Sequence, residues 1–150
     1  MVFHWAARAI DLWLLLTVWL VEGWRRLPGD ALGYLVMRGS GIAEPTRVVT
    51  HGDVTVRVVE DARVGRYLDT GWMPIHAQTI GHYVFARQTL DPRTLAHECE
   101  HVRQWRRLGP LYLPAYFGSS LLALLAHRHP YQDNPFEMAA RERAESEFRS

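Results

Sequence analysis

The chain has 150 residues, of which 48% are hydrophobic and 22% charged, a balance that excludes a disordered chain and suits one globular domain. The formal net charge is +1, and all 17 basic residues are arginine, so no basic field recommends nucleic acid as a partner. A single cysteine excludes an intrachain disulfide and points towards a reducing compartment.

Residues 3–24 read as a helix ended by Pro28-Gly29, and Ala31 to Arg38 as a second short helix. Gly39 to Pro45 is a linker, dividing the chain into an apolar N-terminal helical segment, 1–45, and a metal-binding domain, 46–150. Leu12 to Val21 is a run of ten uncharged residues bracketed by Asp11 and Glu22. A bilayer span needs about 20 such residues. The start lacks the basic region and cleavage site of a cleavable signal peptide, so secretion by that route is not expected. Two readings remain: a helix packed in the core, which is preferred, or an interfacial helix edged by Trp5, Trp13, Trp19 and Trp24. The expected location is the cytoplasm or, on the interfacial reading, the periphery of the inner membrane, with association through residues 12–21.

Thr46 to Thr50 and Val54 to Val59 read as strands, the second alternating Val54, Val56 and Val58 with Thr55 and Arg57. His51-Gly52-Asp53 is the hairpin turn between them. Asp61 is placed to cap a helix reaching about Leu68 and closed by Gly71. Gln78 to Arg87 reads as a third strand with Ile80, His82, Val84 and Ala86 on one face. Asp91-Pro92 then supplies an N-cap and a proline at the first helical position, opening a helix to about Arg107 that stops at Gly109-Pro110. Leu108 to Ala126 is uncharged but broken by Gly109, Pro110, Pro114 and Gly118, which predicts a loop and a buried helix from about Leu113. Asn134-Pro135 opens a last helix, with Phe136, Ala140, Ala144 and Phe148 as its buried stripe. Strands followed by helices make the fold class α+β.

The chemistry lies in His97-Glu98-x-x-His101. Histidines at i and i+4 on a helix share one face and can hold one ion, for which neutral imidazole is a good zinc ligand. Eight histidines and nine glutamates give roughly 0.025 such matches by chance, so the helix start and the preceding strand add needed weight. Glu98 and Glu100 flank the histidine pair equally on a helical wheel. The order of the motif selects Glu98 as the base that deprotonates a zinc-bound water. Cys99 falls on the far side with Leu95 and Val102 and is read as core. Gln104, one turn beyond His101, is read equally as a cleft residue or a solvated one.

A catalytic zinc keeps three protein ligands and an open position. Glu137 is the strongest third candidate, although Asn134 with Glu137 three residues later is equally a capping box. His127 and His129 are rivals better read as a surface turn. Glu142, Glu145 and Glu147 read as a solvated face. Tyr116 and Tyr131 can each donate a hydrogen bond to an oxyanion, Tyr131 being preferred for its closeness to Glu137 in the chain. His76 and His82 carry no pattern that assigns them.

Together, His97-Glu98-x-x-His101 and the later Asn134-Pro135-Phe136-Glu137 resemble the zincin superfamily of metallopeptidases, in its glutamate-ligand branch, and small bacterial zincin-like proteins in particular. The resemblance covers roughly Gln78 to Arg143, including Thr79-Ile80-Gly81, Gln104, Leu108-Gly109-Pro110-Leu111, Pro114-Ala115-Tyr116 and Tyr131. It leaves the first 45 residues uncovered. It implies a minimal zincin-like domain with Zn2+ on His97, His101 and Glu137 and with Glu98 as general base. It also implies a strand that pairs with an extended peptide. The expected function is zinc-dependent hydrolysis of peptide bonds in a peptide or protein substrate, with Glu98 and Tyr131 catalytic. The alternative is a non-catalytic, zinc-binding, membrane-associated module of chaperone-like type, whose site His127 or His129 would close.

Overall fold

A computed structural model describes residues 2–68 and 75–149; for residues 2–16, 18, 19, 66 and 67 it describes the backbone alone. The expected helix end at Gly71 and the side chains of Trp5, Trp13 and Trp19 lie outside the described residues. The fold is α+β, as the sequence implies. A long helix α1 (Val2–Gly39) precedes a hairpin of β1 (Arg47–His51) and β2 (Val54–Glu60). A 3-10 turn (Ala62–Val64) and a short helix α2 (Gly65–Leu68) follow, with Asp61 capping the turn by accepting from the Arg63 amide. Next come β3 (Ala77–Ile80), β4 (Tyr83–Ala86) and α3 (Pro92–Leu108), then a second 3-10 turn (Gly109–Leu111), α4 (Tyr112–Leu125) and α5 (Pro135–Glu147). The sheet order is β1-β2-β4-β3, with β2 and β4 parallel and the other two pairs antiparallel, so β3 is an edge strand.

Alternation in the strands splits the core into two layers. Val54, Val56, Val58, Val84 and Ala86 face α3, where they meet Leu95, Cys99 and Val102. Val59, Tyr83 and Phe85 face the other way, against Met37 of α1 and Ile42. The second half of α1 is thus one layer of the core that residues 46–150 share. Cys99 is fully buried, as expected, and burial pushes its thiol up to about 12.

Three expectations about local structure need correction. First, Pro28-Gly29 does not end the N-terminal helix; Pro28 lies inside α1, which continues to Gly39. A proline there forfeits one hydrogen bond, and tertiary packing offsets it. A Cβ on Gly29 would meet Gly81 and the Trp105 ring at 2.9 Å, and one on Gly33 would meet the Tyr83 ring at 2.6 Å. Both positions therefore let the helix lie directly on the sheet. Asp30 fastens it, its Oδ1 accepting from the His82 backbone amide at 2.8 Å and lying 2.8 Å from the His82 ring.

Second, Gln78 to Arg87 is two strands. Gly81, at φ +60°, turns the chain, and the pairing of Ile80 with Tyr83 makes a hairpin. Ile80 consequently packs towards α1 while Val84 and Ala86 pack towards α3.

Third, residues 112–125 form a helix, but an exposed one: only Tyr112 and Ala123 are buried. Trp24 is likewise outside the core, at 64% exposed, and Phe148 lies beyond the end of α5 and is exposed.

Candidate metal centre

The site is built where α3 and α5 cross. Asp91 caps α3 as expected, accepting from the amides of Arg93 and Thr94 at 3.0 Å, with Pro92 next. The next turns carry His97, Glu98 and His101 towards a cleft of about 1130 Å³ between β3, α3, α4 and α5. Glu137 enters from α5. The Nε2 atoms of His97 and His101 are 3.1 Å apart, and they lie 3.2 and 3.3 Å from the two Glu137 carboxylate oxygens. All three side chains are buried or nearly so.

These spacings fit a metal. Donors on a tetrahedral ion at about 2.0–2.1 Å are separated by roughly 3.3–3.4 Å. Glu137 Oε2 is moreover buried with no hydrogen-bond partner. A buried unsatisfied carboxylate oxygen is costly, and a cation beside it removes that cost. The donor set of two imidazoles and one carboxylate has the chemistry of a divalent-metal site with an open position.

The surroundings fix each donor. His101 Nδ1 is 2.8 Å from Gln104 Oε1 and 3.1 Å from the Tyr112 hydroxyl, so a proton on Nδ1 leaves the Nε2 lone pair directed at the centre. Gln104 Nε2 donates to the Phe136 carbonyl at 3.0 Å, tying the histidine to the start of α5. Gln104 is therefore not solvated: it is buried behind His101, supporting the ring rather than lining the cleft.

Tyr116 donates to Glu137 Oε1 at 2.7 Å. Burial would raise the Glu137 carboxyl, but His101 and His97 outweigh it and hold the group far below its ordinary value. Burial likewise pulls His101 down, and its contact with Glu137 reverses this and lifts the ring to about 9 in the metal-free chain. Glu137 thus does not complete a capping box. Asn134 caps α5 alone, accepting from the Phe136 amide at 2.9 Å.

Glu98 is buried beside the two histidines, and its Oε2 accepts from the Thr79 hydroxyl of β3 at 2.7 Å. Among the described residues no donor reaches its Oε1. Glu100, its rival on the helical wheel, points away from the cleft into ion pairs with Arg103 at 3.2 Å and Arg107 at 3.9 Å. Arg103 in turn holds Asp53 and the His51 carbonyl of the first hairpin.

Tyr131 lines the cleft mouth at 39% exposed. Burial and then the Glu137 charge push the hydroxyls of both Tyr131 and Tyr116 up, so both stay protonated donors. The closer partner of the cluster is Tyr116, the less preferred of the two on chain position.

His127 and His129 are exposed and outside the cluster. His129 Nδ1 instead accepts from the amides of Tyr131 and Gln132. Glu145 pairs with Arg93 and Glu147 with His51. His76 lines the cleft, whereas His82 belongs to the α1 contact.

Sequence reasoning missed Thr79, Tyr112 and the second role of Asn134 in this site. Asn134 is fully buried and its Nδ2 donates to the Tyr116 carbonyl at 3.1 Å and to Ser120 Oγ at 2.8 Å. No periodicity could pair these residues, which are 11 to 19 positions from their partners.

Compared with protein-family models, curated proteins and solved structures, the chain matches none of them.

Proposed function

We propose that the protein is a zinc-dependent peptidase of zincin type. The observation that carries this reading is the convergence of His97 Nε2, His101 Nε2 and the Glu137 carboxylate at 3.1–3.3 Å beside a buried glutamate in an open cleft. When bound, zinc supplies a Lewis acid that lowers the pKa of a water and polarises a carbonyl.

The chain's own residues do the rest. Thr79 holds one oxygen of Glu98, leaving the other to take a proton from water and later return it to the leaving amine. Gln104 and Tyr112 keep His101 in one tautomer, and Tyr116 steadies Glu137. Tyr131, protonated at the cleft mouth, donates to the substrate carbonyl oxygen. β3 borders the cleft and is the last strand of the sheet among the described residues, so an extended peptide adds to it as a further strand.

The alternative, a non-catalytic zinc-binding module, needs a fourth protein ligand to close the site. His127 and His129 are exposed and outside the cluster, which favours the open, catalytic form. The test is digestion of an extended-peptide library by the zinc-loaded chain, read by mass spectrometry. Cleavage that a chelator abolishes is expected. A zinc-replete protein that cleaves no member overturns the reading.

A further inference from the structure

We propose that the outer face of α4, with the exposed apolar stripe of α1, docks on the surface of a lipid bilayer whose anionic headgroups meet the arginines at its rim. From Leu108 to Ala126 the chain carries no charged side chain over 19 residues. On α4, Phe117, Leu121, Leu122, Leu124 and Leu125 are all at least 56% exposed, Leu122 and Leu125 reaching 68%. That is a contiguous aliphatic surface of a kind that water-facing helices do not keep.

The same pattern runs along α1, where Leu20, Trp24, Leu27 and Leu35 follow one face and are 61–64% exposed. The two helices meet just before α4, where a Cβ on Gly109 would lie 2.9 Å from Arg25 Cα.

Charge favours lipid as the occupant. The uncharged stretch is preceded by Arg106 and Arg107 and followed by His127-Arg128-His129, with no acid among them. Arg107 and Arg128 are exposed. On α1, Arg25 and Arg26 lie off the stripe and share Glu22 as partner. Arginines flanking an apolar face, with a tryptophan at its edge, match the headgroup layer above acyl chains. A protein partner would instead need about one hydrogen bond per 100–200 Å², and the α4 face offers scarcely any groups to make them.

Length separates docking from spanning. Pro92–Leu125 is one helical run long and apolar enough by composition to cross a bilayer, with 17% of its most apolar stretch buried. Its first half, however, is α3, which carries the metal cluster and the core. The 14 residues of α4 reach only about 21 Å, short of the roughly 30 Å of hydrocarbon. Leu113, Tyr116 and Phe117 of α4 also line the cleft, so docking would bring the cleft mouth to the lipid surface.

The test is flotation of the full chain with vesicles of phosphatidylcholine, alone and mixed with phosphatidylglycerol. The chain is expected to float with the mixed vesicles and less with phosphatidylcholine alone. Leu121→Glu/Leu125→Glu should weaken partitioning about tenfold or more. A second readout uses Leu122→Cys carrying a lipid-sensitive fluorophore, since Cys99 is buried beyond reach of the label. Its emission should shift to the blue on adding mixed vesicles. A wild-type chain that stays out of the floating fraction, or an unshifted label, overturns the proposal. So does a dimer in solution that the double variant abolishes without any vesicle binding, because a second copy then covers the face. Neither readout depends on turnover.

Discussion

Helices α3 and α4 are joined by one 3-10 turn, yet polarity and burial run in opposite directions in them. In α3, Glu98, Glu100, His101, Arg103 and Gln104 are all buried; in α4, five of the apolar side chains named above are exposed. The difference teaches that burial follows partners rather than hydropathy. The buried ionisable and amide groups of α3 are answered: Glu98 by Thr79, His101 by Gln104 and Tyr112, Glu100 by Arg103, and Arg103 by Asp53. Among the described residues the buried carboxylate oxygen left without a hydrogen bond is Glu137 Oε2, on α5, 3.2 Å from His97 Nε2. The exposed face of α4 is unanswered in the opposite sense, having apolar area on which no apolar side chain packs among the described residues.

The comparison breaks first at Glu98. Glu98→Gln keeps the shape and the Thr79 contact but loses the base, so hydrolysis should fall by about 10²–10⁴ with zinc content unchanged, checked by kinetics beside metal analysis. An equal loss of zinc would mean that Glu98 serves the fold or the metal instead.

Asn134 comes next. Asn134→Ala removes a helix cap and two buried hydrogen bonds. Denaturant unfolding should show a loss of about 2–3 kcal/mol, with weaker zinc affinity as Glu137 loses its placement.

Gly33→Ala drives a Cβ to 2.6 Å from the Tyr83 ring and should cost about 1–3 kcal/mol. Gly118→Ala in α4 meets nothing within 4 Å and should be neutral or stabilising by up to about 1 kcal/mol in the same assay.

A pH response is expected as well. In the metal-free chain, His101 titrates near 9 rather than 6.5 because Glu137 overcomes the effect of burial. Its contribution to stability is therefore full below about 6.5 and fades as pH rises through about 9. Glu137, held below 4.5, contributes above that value and loses its contribution on acidification. Zinc must displace the His101 proton, so binding at pH 7 should release about one proton. Titration calorimetry in buffers of different ionisation enthalpy reads this directly; heats that do not depend on the buffer would deny it.

The parts legible in the sequence are those with a local cause. Asp91-Pro92 and Asn134-Pro135 start helices because a side chain caps its own next turn, and the first hairpin follows from alternation around Gly52. The spacing of His97 and His101 needs only helical geometry. From its neighbours alone Glu137 reads equally as cap or ligand, because both are open to a glutamate at the third helical position, and only the resemblance favours ligation. What settles its direction is Asn134 bridging to α4, a contact 14 and 18 residues away. Pro28 inside α1 and the turn at Gly81 were hidden for the same reason. Each depends on the approach of α1 to the sheet, which no window of adjacent residues contains.

The most direct measurement is metal content after the chain is mixed with excess zinc and exhaustively dialysed. About one zinc per wild-type chain is expected, retained in Glu98→Gln and lost in His97→Ala, His101→Ala and Glu137→Ala. A wild-type chain without zinc, or one whose zinc survives all three alanine substitutions, would contradict the cluster as a metal site.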